Sequence, residues 1–320
     1  MSTLEVSDKN IESQTGNTKS SISWLLKLLS VLIFFLIAVG GLVRNLDAGL
    51  ACPDWPLCHD KIIPHFDVQI FAEYFHRVFA GLISLLTLFI SILIAKDKRL
   101  RSMLGQLSLL ALTLLISQVI LGGLTVLKLL KSEIVTLHLA AGTLYFLIVL
   151  IMTLRAHRFG DQPHLFTIAR DRKREDPSGT WRIAIGASIA VYIQIILGGM
   201  VASNYAGVAC PDFPTCHGMW WPGLDGIIGI QILHRLGALF TFIIVLGFAY
   251  KSLKNTELPK HIHNKTIGVV ALLIIQISLG IGNVLFLLPV ALSVAHLVVA
   301  EALFALIVMC TYEIRHFQLR

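Results

Sequence analysis

Residues 104–127 read LGQLSLLALTLLISQVILGGLTVL, and none of these 24 side chains carries a charge. A helix needs about 20 predominantly apolar residues to cross a bilayer core of roughly 30 Å, so this stretch predicts a membrane-spanning helix. Seven further stretches are long and apolar enough, at residues 24–43, 70–95, 134–155, 181–202, 227–250, 265–287 and 291–311. We therefore predict an all-α, polytopic membrane protein with eight transmembrane helices.

The composition excludes the other broad classes of protein. Hydrophobic residues make up 56% of the 320 residues and charged residues only 14%, whereas a soluble domain carries roughly 25% charge. Disorder is excluded because it requires low hydrophobicity. The net charge of +7 comes from short basic runs between apolar stretches, a pattern typical of membrane topology. We expect contact with membrane lipid and none with nucleic acid.

The distribution of Lys and Arg predicts the orientation in the membrane. Of the 26 basic residues, 20 lie in the two tails and in the segments after the second, fourth and sixth helices, and four lie on the opposite side. Because cytoplasmic segments carry the excess of Lys and Arg, both termini are expected in the cytoplasm. Residues 1–20 are polar and resemble neither a signal peptide nor a transit peptide, so we expect a bacterial plasma membrane.

The two halves of the sequence are similar. Glycines, cysteines, histidines and a glutamine of the first half recur at one constant offset of 158 residues, which chance similarity between apolar helices does not produce. The recurring pairs are Gly40–Gly41 and Gly198–Gly199, Cys52 and Cys210, Cys58 and Cys216, His76–Arg77 and His234–Arg235, Gln118 and Gln276, and His138 and His296. Since the repeat unit holds four helices, both halves have the same orientation, as in parallel repeats about an axis along the membrane normal.

This repeat predicts the domain organisation. Residues 1–23 form a cytoplasmic tail, and residues 24–158 form the first four-helix bundle. A polar cytoplasmic linker follows at residues 159–180, and residues 181–316 form the second bundle. The two tandem bundles are expected to be related by a pseudo-two-fold axis.

Four of the twelve histidines lie within the predicted helices, namely His76, His138, His234 and His296. Each lies a few residues inside the outer end of its helix, so the two histidines of each half are at similar depth. A lone membrane histidine more often makes a helix-packing hydrogen bond, but four at matched depth predict two metal or cofactor sites. The apolar and small neighbours favour haem, because zinc or di-iron requires further Cys, Asp or Glu ligands at the same level.

Two carboxylates break the repeat. Glu73 precedes His76 by three residues and shares its helix face, whereas Gln231 is its counterpart. We therefore predict that the first half is the chemical site and that the second holds a permanent cofactor; the alternative is that Glu73 contacts water at the interface. Glu301, whose counterpart is Thr143, has two open interpretations, a proton relay or a hydrogen bond to a neighbouring helix.

Each candidate ligand on the second and sixth helices is followed by an arginine. Arg77 and Arg235 point about 100° around the helix from the preceding histidine. They are candidate cofactor-binding residues that pair with haem propionates at the outer surface. The alternative is that their side chains extend to the membrane interface, and the sequence favours neither.

Two outer loops carry the same cysteine motif, ACPDWPLCHD at residues 51–60 and ACPDFPTCHG at residues 209–218. Cysteines six residues apart can be joined through a turn, and an exterior compartment permits disulfides. A Cys2His metal site with the following histidine is the alternative. We expect two disulfides, Cys52–Cys58 and Cys210–Cys216. A structural role and a redox role are equally open for both.

Together these residues resemble the haem A synthase family. The resemblance covers almost the whole chain and includes EYFHR at residues 73–77, LHR at residues 233–235, and the paired outer cysteines. The family implies oxidation of the C8 methyl group of haem O to a formyl group, which gives the haem A of terminal oxidases. By resemblance, the ligands of the substrate haem iron are His76 and His138, the catalytic carboxylate is Glu73, and the ligands of a resident haem b iron are His234 and His296.

Two other classes compete with this interpretation. A membrane cytochrome b that carries electrons between a quinol and a periplasmic partner explains the histidines and the disulfides, but not the difference between Glu73 and Gln231. A thiol–disulfide oxidoreductase that uses a quinone explains the cysteines and leaves the histidines without a role. For the synthase, we expect haem O synthase and a quinol or another electron donor as partners.

Overall fold

The computed structural model describes residues 3–65, 67–159 and 178–317, with side chains from residue 22 onward. This part of the chain is all-α, apart from a 3-10 turn at Ala206–Val208 and two isolated β-bridges in the outer loops. Eight of its helices are long and apolar enough to cross a membrane, which confirms the predicted fold class. They are α1 (Thr3–Asn45), α2 (Val68–Lys96), α3 (Lys98–Leu127), α4 (Ser132–Phe159), α5 (Thr180–Ser203), α6 (Gly226–Lys254), α7 (Lys260–Leu285) and α8 (Val290–Phe317).

Most helices extend beyond the predicted apolar segments, because hydropathy marks only the part of a helix that lies in the bilayer core. Helix α3 begins at Lys98 and not at residue 104. The side chain of Asp97 accepts hydrogen bonds from the N–H groups of Arg99 and Leu100, and so supplies partners for two of the N–H groups that a helix start leaves unpaired. A polar cap therefore sets where this helix begins.

The predicted tail and linker correspond only partly to described structure. Helix α1 begins at Thr3, within the predicted tail at residues 1–23, and its membrane-spanning part is Ile22–Asn45. Most of the predicted linker at residues 159–180 lies outside the described residues. The division into two bundles, at residues 24–158 and 181–316, stays a prediction.

The helices pack mainly within their own half of the chain. Helices α1 to α4 surround one hydrophobic core that includes Leu26, Ile90 and Val149, and α5 to α8 provide most of a second core that includes Phe248 and Ile307. The two halves contact each other in two places. Helix α1 packs against α8, and α4 packs against both α5 and α8. Helices α4 and α8, which carry the second candidate ligand histidine of each half, therefore lie at the interface between the halves.

Several contacts across this interface join a residue to its own counterpart in the repeat. Thr143 donates to Glu301 at 2.6 Å, Arg44 donates to the carbonyl oxygen of Ala202 at 2.6 Å, and Arg158 donates to that of His316 at 3.0 Å, all at a sequence separation of 158. Such contacts are expected only near an axis that relates the two halves. They support the predicted pseudo-two-fold relation, which itself stays a prediction.

Candidate functional site

Each of the four predicted ligand histidines packs against a glycine of the preceding helix. An ideal Cβ on that glycine would lie 3.0–3.4 Å from the Cε1 atom of the histidine ring. The ring and the neighbouring backbone therefore approach closely because the glycine has no side chain. The pairs are Gly40–His76 (3.1 Å), Gly122–His138 (3.4 Å), Gly198–His234 (3.2 Å) and Gly280–His296 (3.0 Å).

The histidines form two pairs, one in each half. His76 on α2 interacts electrostatically with His138 on α4, and His234 on α6 interacts with His296 on α8. All four residues are partly exposed, yet Nδ1 of His76, His138 and His296 is buried and has no hydrogen-bond partner within the described residues. The surface that these three residues expose therefore does not include Nδ1. In His76 and His138 the other ring nitrogen, Nε2, remains for a bound group, whereas Nε2 of His296 lies beside Gln276.

The donor set fits haem better than an ion held by side chains alone. Groups of three or more His, Cys, Asp or Glu residues that could hold a metal ion do not occur in the described part of the chain. Haem iron takes only axial ligands from the protein, because the macrocycle supplies the others. The two imidazoles of each half, each beside a glycine, therefore fit one haem in each half.

Glutamines that recur in both halves approach the histidines of α4 and α8. Gln118 on α3 donates to the carbonyl oxygen of His138 at 3.1 Å. Its counterpart Gln276 on α7 lies 3.3 Å from Nε2 of His296. The repeat identified both glutamines, and the structure places each beside a candidate ligand.

Gln194 on α5 is a third such glutamine, which the sequence analysis missed. Its amide nitrogen lies 2.9 Å from the carbonyl oxygen and 3.0 Å from Nδ1 of His234. The residue 158 positions earlier is Leu36, so His76 has no equivalent neighbour. A search for polar helix residues that occur in only one half would have found Gln194.

Glu73 and Arg77 join α2 to the first disulfide loop. One oxygen of the buried Glu73 carboxylate accepts the N–H of Cys52 at 2.8 Å, and the other pairs with Arg77 Nη2 at 2.6 Å. Arg77 also donates to the carbonyl oxygens of Cys52, Asp54 and Leu57 at 2.6–3.0 Å. Each of its four Nη hydrogens thus has an acceptor within the protein, and the contact with a haem propionate stays a prediction.

The second loop is held in the same way, except at the carboxylate. Arg235 on α6 donates to the carbonyl oxygens of Cys210, Asp212 and Thr215 at 2.7–3.1 Å. Gln231 is buried like its acidic counterpart, but its Oε1 atom has no hydrogen-bond partner among the described residues. Anchoring of the loop is therefore common to both halves, and the buried carboxylate is particular to the first.

Both predicted disulfides are present, Cys52–Cys58 and Cys210–Cys216. Each closes a loop at the end of the structure where the four histidines lie. The sulfur atoms are joined in pairs and so cannot serve as the thiolate ligands of the alternative Cys2His sites. The choice between a structural and a redox role stays open.

An aspartate that the sequence analysis missed organises each loop. Asp212 accepts hydrogen bonds from the Thr215 hydroxyl at 2.5 Å and from the N–H of Gly218 at 2.9 Å. These bonds, above all the one from Thr215, lower the pKa of Asp212 to about 2, so its carboxylate is ionised at neutral pH. Asp54 occupies the same place in the first loop, where the N–H of Asp60 contributes most to lowering its pKa. The repeated CPD triplet was the available signal.

Glu301 lies at the interface between the halves and is 0% exposed. Its Oε1 atom accepts the hydrogen bond from Thr143, and its Oε2 atom is buried without a partner among the described residues. The structure therefore contains the hydrogen bond to a neighbouring helix that was one of the two open interpretations. It leaves one oxygen of the carboxyl group unaccounted for.

Fold and site together define a multi-pass helical membrane protein with two paired-histidine sites that fit haem, beneath two disulfide-closed loops. The sequence profile of the cytochrome oxidase assembly protein family, COX15-CtaA, matches residues 23–308. The chain belongs to this family.

Several relatives extend over most of the chain. A protein of Shewanella oneidensis named heme A synthase is 30% identical in an alignment of length 336 that covers 92% of this chain and 97% of the relative. A heme A synthase of Halalkalibacterium halodurans is 25% identical over 281 residues, with 87% and 91% covered. One of Symbiobacterium thermophilum is 27% identical over 220 residues, with 68% and 71% covered. The resemblance to the haem A synthase family is thereby confirmed.

Proposed function

We propose that this protein is a haem A synthase, an oxidoreductase that oxidises the C8 methyl group of haem O to the formyl group of haem A. Its family and the name of its relatives support this function. The structural observation that carries the proposal is the asymmetry of the repeat. Two similar sites share paired histidines, adjacent glycines and anchored loops, but a buried carboxylate, Glu73, lies in only one of them. This difference is expected when one site performs chemistry and the other does not.

The first bundle, at residues 24–158, is the proposed substrate site. His76 and His138 would ligate the iron of haem O, and Gly40 and Gly122 leave room beside the two rings. No glutamine holds the Nδ1 atom of His76, because Leu36 occupies the position that Gln194 has in the second half. Weaker fixation of this ligand suits a site from which the product must leave.

The second bundle, at residues 181–316, is the proposed site of a resident haem b, whose iron His234 and His296 would hold. A haem bound there would pass electrons one at a time, which side chains alone do not do. Gln194 contacts both the carbonyl oxygen and Nδ1 of His234. The bond to the carbonyl oxygen fixes the part of α6 that carries His234, which supports permanent binding in this half.

Glu73 is the proposed catalytic carboxylate. It can accept a proton released from the methyl group, or stabilise positive charge that develops on the methyl carbon as electrons are removed. Arg77 and the N–H of Cys52 hold its two oxygens, so the carboxylate is in place before substrate binds. Each oxygen keeps a further acceptor position. The disulfide loop thus contributes to the chemistry by positioning Glu73.

Arg77 and Arg235 are proposed to anchor the loops first of all, since three loop carbonyls accept hydrogen bonds from each. Binding of haem propionates remains a further proposal for both. A propionate would have to accept a hydrogen bond from Nε of the arginine, or replace one of the loop carbonyls as an acceptor. Arg235 is the better candidate, because its Nε is buried and has no partner among the described residues.

The orientation of the protein follows from its basic residues. Of the 26 Lys and Arg residues, 20 lie on the side of the two termini, which supports cytoplasmic termini and outward-facing cysteine loops in a bacterial plasma membrane. Haem O synthase, which would supply the substrate, and a quinol or another electron donor are the proposed partners. Membrane lipid surrounds the eight helices.

Haem extraction from the purified protein, followed by chromatography, tests the function. We expect haem O or haem A beside haem b when the protein is produced together with haem O synthase. Haem b alone in both sites would instead favour the membrane cytochrome b that carries electrons. That alternative gives no reason for a buried, ion-paired carboxylate in one site and an amide in the other.

A further inference from the structure

Glu301 is a buried carboxyl group that the proposed chemistry does not use. It is 0% exposed, and the Thr143 hydroxyl donates to its Oε1 atom at 2.6 Å. Its Oε2 atom is buried and has no hydrogen-bond partner among the described residues. A carboxylate accepts hydrogen bonds on both oxygens, and a protonated carboxyl group can donate one. The Oε2 atom is therefore the place where this group can bind a proton.

Glu301 is placed between the two paired-histidine sites. It follows His296 by five residues, and Thr143 follows His138 by five residues. At 1.5 Å per residue, each separation is about 7.5 Å along its helix axis. Because α8 and α4 are joined by the Thr143–Glu301 hydrogen bond, the carboxyl group lies at a similar axial distance from a candidate iron ligand of each half.

Few titratable groups face Glu301 from the helices packed against α8, which are α1, α4, α5 and α7. On α5, Tyr192 interacts electrostatically with Glu301, and its hydroxyl donates to the carbonyl oxygen of Ala140 at 3.2 Å. On α4, the titratable side chains nearest Thr143 along the helix are Tyr145, whose hydroxyl pairs with that of Thr87, and His138. No described residue of α1 or α7 pairs with Glu301. An ionised carboxylate in such surroundings requires a positive charge nearby.

We propose that Glu301 binds one proton when the iron of the resident haem is reduced and releases it when the iron is oxidised. This inference rests on the proposed haem b of the second half. A ferric porphyrin carries one positive charge more than a ferrous one, and that charge favours the carboxylate over the neutral acid. Reduction adds one electron to the iron, supplied in the enzyme by the proposed quinol or other electron donor, and one proton from the aqueous phase to Glu301. Oxidation removes both, so the net charge of the interface stays constant.

The proposal is tested on the purified full-length protein by spectroelectrochemical titration of haem b at a series of pH values. We expect the midpoint potential to fall by about 59 mV for each tenfold decrease in proton concentration, the value for one proton coupled to one electron. Glu301→Gln is nearly isosteric and keeps an acceptor for Thr143, and it should remove most of this slope. Glu313→Gln changes the same residue type on the same helix, where Lys265 pairs with it, and should keep the slope.

A slope that is absent from the unaltered protein, or that persists unchanged in Glu301→Gln, would overturn the proposal. Absence of haem b would instead contradict the proposed function, so the two failures are distinguishable. If Glu301→Gln does not assemble, the reduced-minus-oxidised infrared difference spectrum of the unaltered protein decides. It should contain a carboxyl C=O band that shifts in D2O, and a spectrum without this band counts against the proposal.

Discussion

The backbone N–H of Cys52 donates a hydrogen bond of 2.8 Å to the carboxylate of Glu73. This bond joins the disulfide loop to the helix that carries His76, and Arg77 reinforces it from the same helix. In the second half, Gln231 occupies the place of Glu73 and its Oε1 atom has no partner among the described residues. Arg235 ties the second loop to its helix as Arg77 ties the first, but only the first loop is also held by a carboxylate.

Replacing Glu73 by glutamine should abolish most of the conversion of haem O. The side chain keeps its size and an acceptor for Cys52, so folding and haem binding should survive, but it loses the charge that acts on the methyl group. A positioned acid–base group contributes about 10²–10⁴-fold to rate. The measurement is the ratio of haem O to haem A in cells at equal expression of the protein.

Glu133→Gln is the matched control, because Glu133 is exposed at the beginning of α4 and should leave the ratio unchanged. A near-normal amount of haem A in the Glu73 variant would show that this carboxylate takes no part in the reaction. The functional difference between the halves would then need another cause.

Mutations in the two histidine pairs should have different effects. His234→Ala or His296→Ala should remove the proposed haem b, because each would supply one of the two protein ligands of its iron. His76→Ala or His138→Ala should leave the haem b spectrum in place and end the formation of haem A. Reduced-minus-oxidised difference spectra of the four purified variants check this, and an unchanged haem b band in both variants of the second half contradicts the assignment.

The glycine contacts should matter for haem binding. A Cβ on Gly280 would lie 3.0 Å from the His296 ring, so Gly280→Ala should displace the ring and reduce haem b content. Overpacking of this kind costs about 1–3 kcal/mol. Gly186→Ala is the control, since nothing lies within 4 Å of its Cβ. Equal haem b content per protein in both variants would mean that the ring tolerates the contact.

Thiol labelling from outside tests the disulfides and the orientation together. A membrane-impermeant reagent applied to intact spheroplasts should label the four loop cysteines only after reduction, because their sulfur atoms are paired. Cys310 is buried and should remain unlabelled in the folded protein. Labelling of all four loop cysteines without reductant would reject the disulfides, and failure to label after reduction would place the loops on the other side.

The candidate site could be predicted only in part. The histidines, Glu73 and the cysteines were visible because chemically distinctive residues recur, or fail to recur, at a fixed offset. Gln194 was missed because it lies among apolar residues of α5, and its relation to His234 depends on how α5 packs against α6. Asp54 and Asp212 were missed because an aspartate in a loop is ordinary until its hydrogen bonds are known.

The sequence by itself determined the eight membrane spans, the internal repeat and which histidines are the candidate iron ligands. These are properties of single segments, since each helix must satisfy its own backbone in the apolar bilayer whatever its neighbours are. Only the tertiary structure decided that Glu73 accepts a hydrogen bond from Cys52 and that Thr143 meets Glu301. Hydrogen bonds form within a few tenths of an ångström of 2.9 Å, and which distant groups come that close is set by helix packing rather than by the pattern of any one segment.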